Sequence, residues 1–238
     1  MYIDNLVEVH SHILPAVDDG SKSVEMSLQM IDALQKQGAK AIILTPHYYS
    51  DEISLDDFLR KREQAFNALE RALPPGSPRL IPAAEVYISK YIFNYDSLDE
   101  LCIGNSGYAL IEHPFTSPFD ESDYDRLVNM YCDYGIKPVL AHIERYRALL
   151  EDTFRLDQYI KMGCLVQVNI NSFYDAPKSI RKKLFGLLEN GRIHFVGSDC
   201  HNLTSRPPDF SKGLSAIANT CTIEAVEALM HNANELIK

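Results

Sequence analysis

Tryptophan is absent, and no two of the five cysteines (Cys102, Cys132, Cys164, Cys200, Cys221) stand in a C-x-x-C arrangement. An odd count without that spacing suggests neither a disulfide framework nor a thiolate zinc knuckle, and leaves reduced thiols as the simpler reading. Long apolar runs are missing too: stretches such as Ala41 to Leu44 are far too short to span a bilayer. The N-terminal MYIDNLVEVHSH has no basic segment followed by an apolar one, so the expected address is the cytoplasm, with no direct membrane insertion. Lys and Arg cluster nowhere, and 23 of them against 33 Asp and Glu give a net charge of -10. Such a chain has no basic stripe to track a nucleic-acid backbone, which argues against a nucleic-acid partner. With only 11 glycines there is also no glycine-rich phosphate fingerprint.

What is present is an ordinary globular balance, 46% hydrophobic and 24% charged over 238 residues. A chain of that size buries roughly 70% of its unfolded surface. β-rich runs alternate with segments of helical period. Strands are expected at Leu6 to His10, Ala41 to Thr45, Leu80 to Val86, Tyr108 to Ile111, Pro138 to Ala141, Leu165 to Asn169 and His194 to Ser198. Helices are expected from Val24 to Gly38, from Leu55 to Leu73 behind a Ser54/Asp57 cap, and from Asp123 to Tyr134, Arg145 to Met162 and Ser179 to Asn190. The last three stop at Gly135, Gly163 and Gly191. Pro74 to Pro78 reads as a connector, and no composition shift marks a second domain, so residues 1–238 are expected to form one. Seven β-α units without a dinucleotide fingerprint favour a closed, barrel-like α/β arrangement of parallel strands.

On that map the histidines and carboxylates are not scattered. His10, His12, His47, Glu85, Glu112, His142, Asp199 and His201 each fall at or just past the end of an expected strand, and Asp19 lies in the loop after the first. Parallel strands gather such ends on one face, where loops converge on a rigid frame. Five imidazoles and four carboxylates exceed what one divalent ion can use, so a multinuclear site is expected. Nitrogen and oxygen donors without sulfur suit manganese, iron or zinc. His113, His194 and His231 fall off this pattern and read as ordinary histidines.

The motifs H-S-H (His10 to His12), V-D-D-G (Val17 to Gly20), T-P-H (Thr45 to His47), the Glu at 85, H-x-E-R-Y (His142 to Tyr146) and S-D-x-H (Ser198 to His201) occur in order over nearly the whole chain. Together they resemble the polymerase and histidinol phosphatase (PHP) superfamily. The H-S-H-I-L-P-x-V-D-D-G opening is similar to the bacterial protein-tyrosine phosphatases of capsule and exopolysaccharide loci. The resemblance implies a distorted (β/α)7 barrel holding three divalent metal ions, usually manganese. By motif, His10, His12, Glu85 and Asp199 would hold one ion. Glu85 would bridge to a second held by Glu112 and His142, and Asp19, His47 and His201 would hold the third. Arg145 would contact the phosphate, and Arg206 is a further candidate for clamping it. The implied partner is the phosphotyrosyl tail of a bacterial tyrosine kinase that governs polysaccharide export. Glu8 departs from the Asp common before the first H-x-H.

Phosphomonoester hydrolysis, among the slowest uncatalysed reactions, calls for such a centre. Three ions would bring about +6 against -4 from the four carboxylates, making a locally cationic site in an acidic protein. A small phosphomonoester such as histidinol phosphate is the alternative substrate. Cys200 to Arg206 fits the C-x5-R spacing of cysteine-dependent phosphatases, but its loop has no glycine and runs into Pro207-Pro208, so a cysteine mechanism is not expected. Tyr48, Tyr49, Tyr87, Phe115, Tyr146 and Tyr174 are candidates to wall an aromatic substrate, or else rim residues that pack loops.

Overall fold

The computed structural model describes residues 4–238; residues 1–3, which open both the stretch read as leaderless and the expected domain, lie outside the described residues. β-Strands and helices alternate from β1 (Leu6–Glu8) through α1 (Val24–Gln35), β2 (Ala39–Leu44), β3 (His47–Tyr49), α2 (Leu55–Ala72), β4 (Arg79–Pro82), β5 (Glu85–Tyr87) and β6 (Tyr108–Glu112). There follow α3 (Glu121–Tyr134), β7 (Lys137–Leu140), α4 (Arg147–Glu151), α5 (Thr153–Met162), β8 (Leu165–Asn169), α6 (Lys178–Glu189), β9 (Phe195–Gly197), α7 (Ser211–Thr220) and α8 (Ile223–Leu236). No described helix is long and apolar enough to cross a membrane.

Every strand pairing is parallel, in the orders β1-β2-β4 and β3-β5-β6-β7-β8-β9. The two sheets are segments of one ring. The strand expected at Leu80 to Val86 is broken at Ala83-Ala84 into β4 and β5, and β3 resumes beyond Thr45-Pro46 where the strand expected at Ala41 to Thr45 ends, which is why nine strands replace seven. Proline has no N–H to give a ladder, and Pro46 and Pro82 sit at or beside the breaks. Hydrogen bonds carry the pairing across: Ala83 N–H donates to the Leu44 carbonyl (2.9 Å) and Glu85 N–H to that of Pro46 (3.0 Å). The ends of the order meet where Ser11 bridges Cys200 in parallel, with His12 N–H on the Cys200 carbonyl (2.9 Å) and Asp199 N–H on that of His10 (2.8 Å). The ring of seven parallel staves thus closes as the distorted barrel that the motif resemblance implies.

The helices show where sequence signals stop. Helix α2 begins and ends within a residue of expectation, since Ser54 accepts from Asp57 N–H as its cap. The continuous helix expected from Arg145 to Met162 is instead a single 3-10 turn, α4 and α5; Asp152 interrupts it and caps α5 by accepting from Arg155 N–H (3.1 Å). Helix α1 stops at Gln35, short of Gly38. Helices α7 and α8 were not anticipated; α8 lays Ala233 and Leu236 against an apolar cluster contributed by several strands.

That cluster positions the site. It takes alternate residues, Ala41 and Ile43, Ile81 and Ala83, Leu110, Val139 and Ala141, and Phe195. Intervening residues such as Ile42, Leu44, Val86, Ile111 and Val196 join the larger cluster shared with the helices. Strand side chains repeat with period two. Continuing the same rows upward therefore reaches His47, Glu85 and Glu112, so the polar crown of the barrel is the extension of its apolar interior.

Candidate metal centre

At the C-terminal ends of the strands His10, His12, Glu85 and His142 are fully buried, and Asp199, His201 and Glu112 nearly so. So many buried ionisable groups are sustainable only when paired or bound to metal. His10 Nε2, His12 Nε2 and Glu85 Oε2 lie 3.2 Å from one another, and Asp199 Oδ1 is 3.5 and 3.4 Å from the two imidazole nitrogens. The 3.2 Å spacing of the His10, His12 and Glu85 donors matches the separation of about 3.3 Å for ligands about 2.05 Å from one ion at tetrahedral angles.

Neighbouring side chains leave the inward nitrogens free. His10 Nδ1 pairs with Gln167 Oε1 (3.2 Å), and His12 Nδ1 donates to Asp18 Oδ2 (2.7 Å). On Asp199, Oδ2 takes Asn169 Nδ2 (2.8 Å), Arg145 Nη2 (2.7 Å) and Arg206 Nη2 (2.6 Å), which turns Oδ1 inward. Such outer partners fix the tautomer and orientation of ligating groups.

The other candidates lie alongside. His142 Nε2 is 2.8 Å from Glu85 Oε1 and 3.4 Å from Glu112 Oε1; His47 Nδ1 is 3.0 Å from Glu85 Oε2 and 3.7 Å from Glu112 Oε2. Asp19 Oδ1 approaches His201 Nε2 at 3.3 Å and His47 Nε2 at 3.7 Å, on a largely exposed carboxylate. All nine expected ligands therefore converge. Three donor groups are compatible with an ion: His10, His12 and Glu85; His47, Glu85 and Glu112; and His12, Asp19, His47 and His201. His12 and His47 thus each stand in two of the groups, whereas the motif resemblance gave each to one ion, and His142 and Asp199 stand in none of the three.

Backbone geometry is bent to achieve this. His142 and Asp199 adopt left-handed conformations (φ 33° and 53°), uncommon for residues with a Cβ and concentrated at functional sites. For His142 the reason is legible. Val139 and Ala141 point into the barrel, so regular alternation would send residue 142 outward; the reversed backbone, anchored by its N–H on Gln167 Oε1 (2.7 Å), brings the imidazole in.

A divalent metal fits this donor set. His47 Nδ1, Glu85 Oε2, His142 Nδ1 and His201 Nε2 are buried with no hydrogen-bond partner. The first two are 3.0 Å apart yet do not align as a hydrogen bond. The cluster also demands positive charge. Burial alone would lower the His142 pKa, but its bonds to Glu112 and Glu85 raise it to about 9. Burial likewise opposes ionisation of Glu85, yet the charge and hydrogen bonds of its imidazole neighbours hold it well below the usual carboxylate range. A bound cation competes with protons for these groups.

The family described as "Capsular polysaccharide synthesis, CpsB/CapC" matches residues 6–238. The chain belongs to the CpsB/CapC family. Its CpsB/CapC relatives include Tyrosine-protein phosphatase CpsB of Streptococcus pneumoniae, 31% identical over 98% of both chains. Tyrosine-protein phosphatase YwqE of Bacillus subtilis is 28% identical over 98% of this chain and 92% of its own. A solved structure from work on B. subtilis YwqE and S. pneumoniae CpsB, described as "unique metal-dependent tyrosine phosphatases", superposes with a TM-score of 0.83 at 26% identity. It covers 98% of this chain and 94% of that one.

In this CpsB/CapC chain, Arg145 and Arg206 border a cavity of about 400 Å³ shared with Tyr174 and Lys212. Cys200 is fully buried, and burial pushes its thiol well above the ordinary range, which removes it as a nucleophile. Of the candidate aromatics, Tyr48 and Tyr146 are core residues: Tyr48 packs on Phe58, and the Tyr146 hydroxyl accepts from His113 N–H (2.9 Å). Tyr49, Tyr87 and Tyr174 are half-buried and Phe115 is exposed. Sequence reasoning missed the orienting groups: Asp18, Gln167, Asn169, and Glu8, which accepts from His10 N–H and Ser198 N–H (both 3.0 Å) and from the Ser198 hydroxyl. The signal for Gln167 and Asn169 was available, as polar residues at alternate positions of an apolar strand.

Proposed function

We propose that the chain is a metal-dependent protein-tyrosine phosphatase of capsular or exopolysaccharide synthesis, acting in the cytoplasm on the phosphotyrosyl tail of a tyrosine kinase. The observation that carries the reading is the buried set His10 Nε2, His12 Nε2 and Glu85 Oε2, 3.2 Å from one another, with Asp199 Oδ1 3.4–3.5 Å from the two imidazole nitrogens and two guanidiniums on its outer oxygen. Our reading assigns three divalent ions to the nine donors, with manganese favoured and iron or zinc suited to the same ligands.

Ions held there would supply Lewis-acid stabilisation of phosphoryl oxygens and acidify water. The protein's own part is positioning and charge. Gln167 and Asp18 hold the His10 and His12 rings in the tautomers that turn Nε2 inward. Arg145 and Arg206, each about one-third exposed, can reach the oxygens of a phosphoryl group entering from the cavity through their planar forks. Residues 1–238 act as one domain in this scheme.

Metal analysis of the purified protein, combined with turnover of a phosphotyrosyl peptide with and without chelator, tests the proposal. The expected result is bound divalent metal at about three per chain and turnover that chelator abolishes. Turnover that survives complete metal removal would refute the metal chemistry. Faster hydrolysis of histidinol phosphate than of the peptide would refute the substrate.

A further inference from the structure

Six large apolar side chains are exposed among the described residues, Tyr131 on α3 and Ile223 on α8 being two of them. The other four, Tyr91, Phe115, Phe154 and Leu203, lie on segments that follow the C-terminal ends of β5, β6, β7 and β9. Phe115, 55% exposed, touches the site itself: its ring centre is 5.8 Å from that of His142, and the Arg145 guanidinium carbon lies 5.6 Å over its face.

The segment that presents Phe115 is not slack. His113 N–H donates to the Tyr146 hydroxyl (2.9 Å), Ser117 N–H to the Pro114 carbonyl (2.8 Å) and the Ser117 hydroxyl to Asp123 (2.5 Å). A phenylalanine held outward by a pinned turn is a local conflict with burial, and such conflicts concentrate where function overrides packing.

Resting on the phosphatase reading above, we propose that Phe115 is the specificity-determining wall of the site and seats the phosphotyrosyl ring by offset stacking. In phosphotyrosine a single ester oxygen separates the phosphorus from the ring. A phosphoryl group on the Arg145 guanidinium therefore leaves the ring beside Phe115, within the 4.5–7 Å range in which aromatic pairs attract. Tyr49 and Tyr87, 5.3 Å apart and with Tyr49 5.3 Å from the His47 ring, continue the rim on β3 and on β5, the strand beside β6. Tyr174, with the Lys212 ammonium 5.7 Å over its ring, is the aromatic on the Arg206 side and the competing seat. A phosphoseryl side chain has no ring to place against Phe115, so Phe115 separates the two substrates.

The test compares kcat/KM on a phosphotyrosyl peptide and on the same peptide carrying phosphoserine, for the metal-loaded wild type, Phe115→Ala, Phe115→Tyr and Tyr174→Ala. Calorimetry with a non-hydrolysable phosphonate analogue of the phosphotyrosyl peptide gives binding separately. The phosphotyrosine-to-phosphoserine ratio should fall about tenfold in Phe115→Ala, mainly through KM, with Kd for the analogue rising by a similar factor and Phe115→Tyr retaining both. An equal loss on both peptides would mean that Phe115 only braces Arg145, and would overturn the proposal. So would an unchanged ratio, or a fall confined to Tyr174→Ala. A wild type with no preference for phosphotyrosine would instead sink the substrate reading, and the seat with it.

Discussion

Replacing Asp18 should weaken metal binding without touching a proposed ligand. Its Oδ2 accepts from His12 Nδ1 at 2.7 Å and from His47 N–H at 3.0 Å, while Oδ1 accepts from Gly20 N–H at 2.9 Å. One carboxylate thus orients the His12 imidazole, the backbone at His47 and the loop that carries Asp19. Burial opposes its ionisation, but the hydrogen bond and charge of His12 hold its carboxyl far below the usual range. Loss of such an orienting partner typically costs 10–100-fold in metal affinity, or about 1.4–2.7 kcal/mol. Asp18→Ala also strands two backbone N–H groups, at about 1–3 kcal/mol each if they stay dry, so its Tm should fall. Asp18→Asn keeps an acceptor for those amides and isolates the effect on His12. The assay is a divalent-metal titration, read by calorimetry and by the metal concentration giving half-maximal turnover. Both curves should shift about tenfold or more for Asp18→Asn, with kcat largely restored at saturating metal. Unshifted curves would refute the orienting role, and kcat lost at saturating metal would mean that Asp18 acts on the reaction itself.

Arg145→Ala should reduce kcat/KM on a phosphotyrosyl peptide by about 10²-fold or more with an unchanged Tm, as for loss of one preorganised electrostatic donor; an unchanged kcat/KM would return Arg145 to the surface. Cys200→Ser should keep its metal content and most of its turnover, because the thiol is buried and fully protonated; loss of turnover at normal metal content would reinstate the cysteine mechanism. Gly197→Ala would place a Cβ 2.7 Å from His10 Cβ and 3.1 Å from His10 N. Relieving that overlap should cost about 1–3 kcal/mol and weaken metal binding, and a variant with wild-type Tm and metal affinity would contradict it.

Much of the site could be read from sequence because a parallel barrel turns position along a strand into position in space. Knowing only that His47, Glu85 and Glu112 fall at or just past the ends of expected strands is enough to bring them together. The reading fails where one residue must be chosen over its neighbour. Nothing in V-D-D-G shows that Asp18 turns inward to His12 while Asp19 stays exposed. H-x-E-R-Y likewise hides the left-handed turn at His142 and the burial of Tyr146. The break at Ala83 is hidden because the apolar run Leu80 to Ala84 continues through it, and the return to strand after Pro46 is hidden because His47 to Tyr49 is too short to read as a strand; only the change of pairing partner reveals them.

Those breaks give the barrel a joint. Strands β2 and β4 form a lower storey with β1, and β3 and β5 an upper one with β6, joined at this corner by two backbone hydrogen bonds. Cooperative opening units tend to follow such seams. Amide exchange in β3 and β5, the short segments that begin with His47 and Glu85, should therefore slow when divalent metal is added. Amides of β2 and β4 should keep the slow exchange of the global fold with or without it. Equal metal protection in both storeys would show that the barrel opens as one piece.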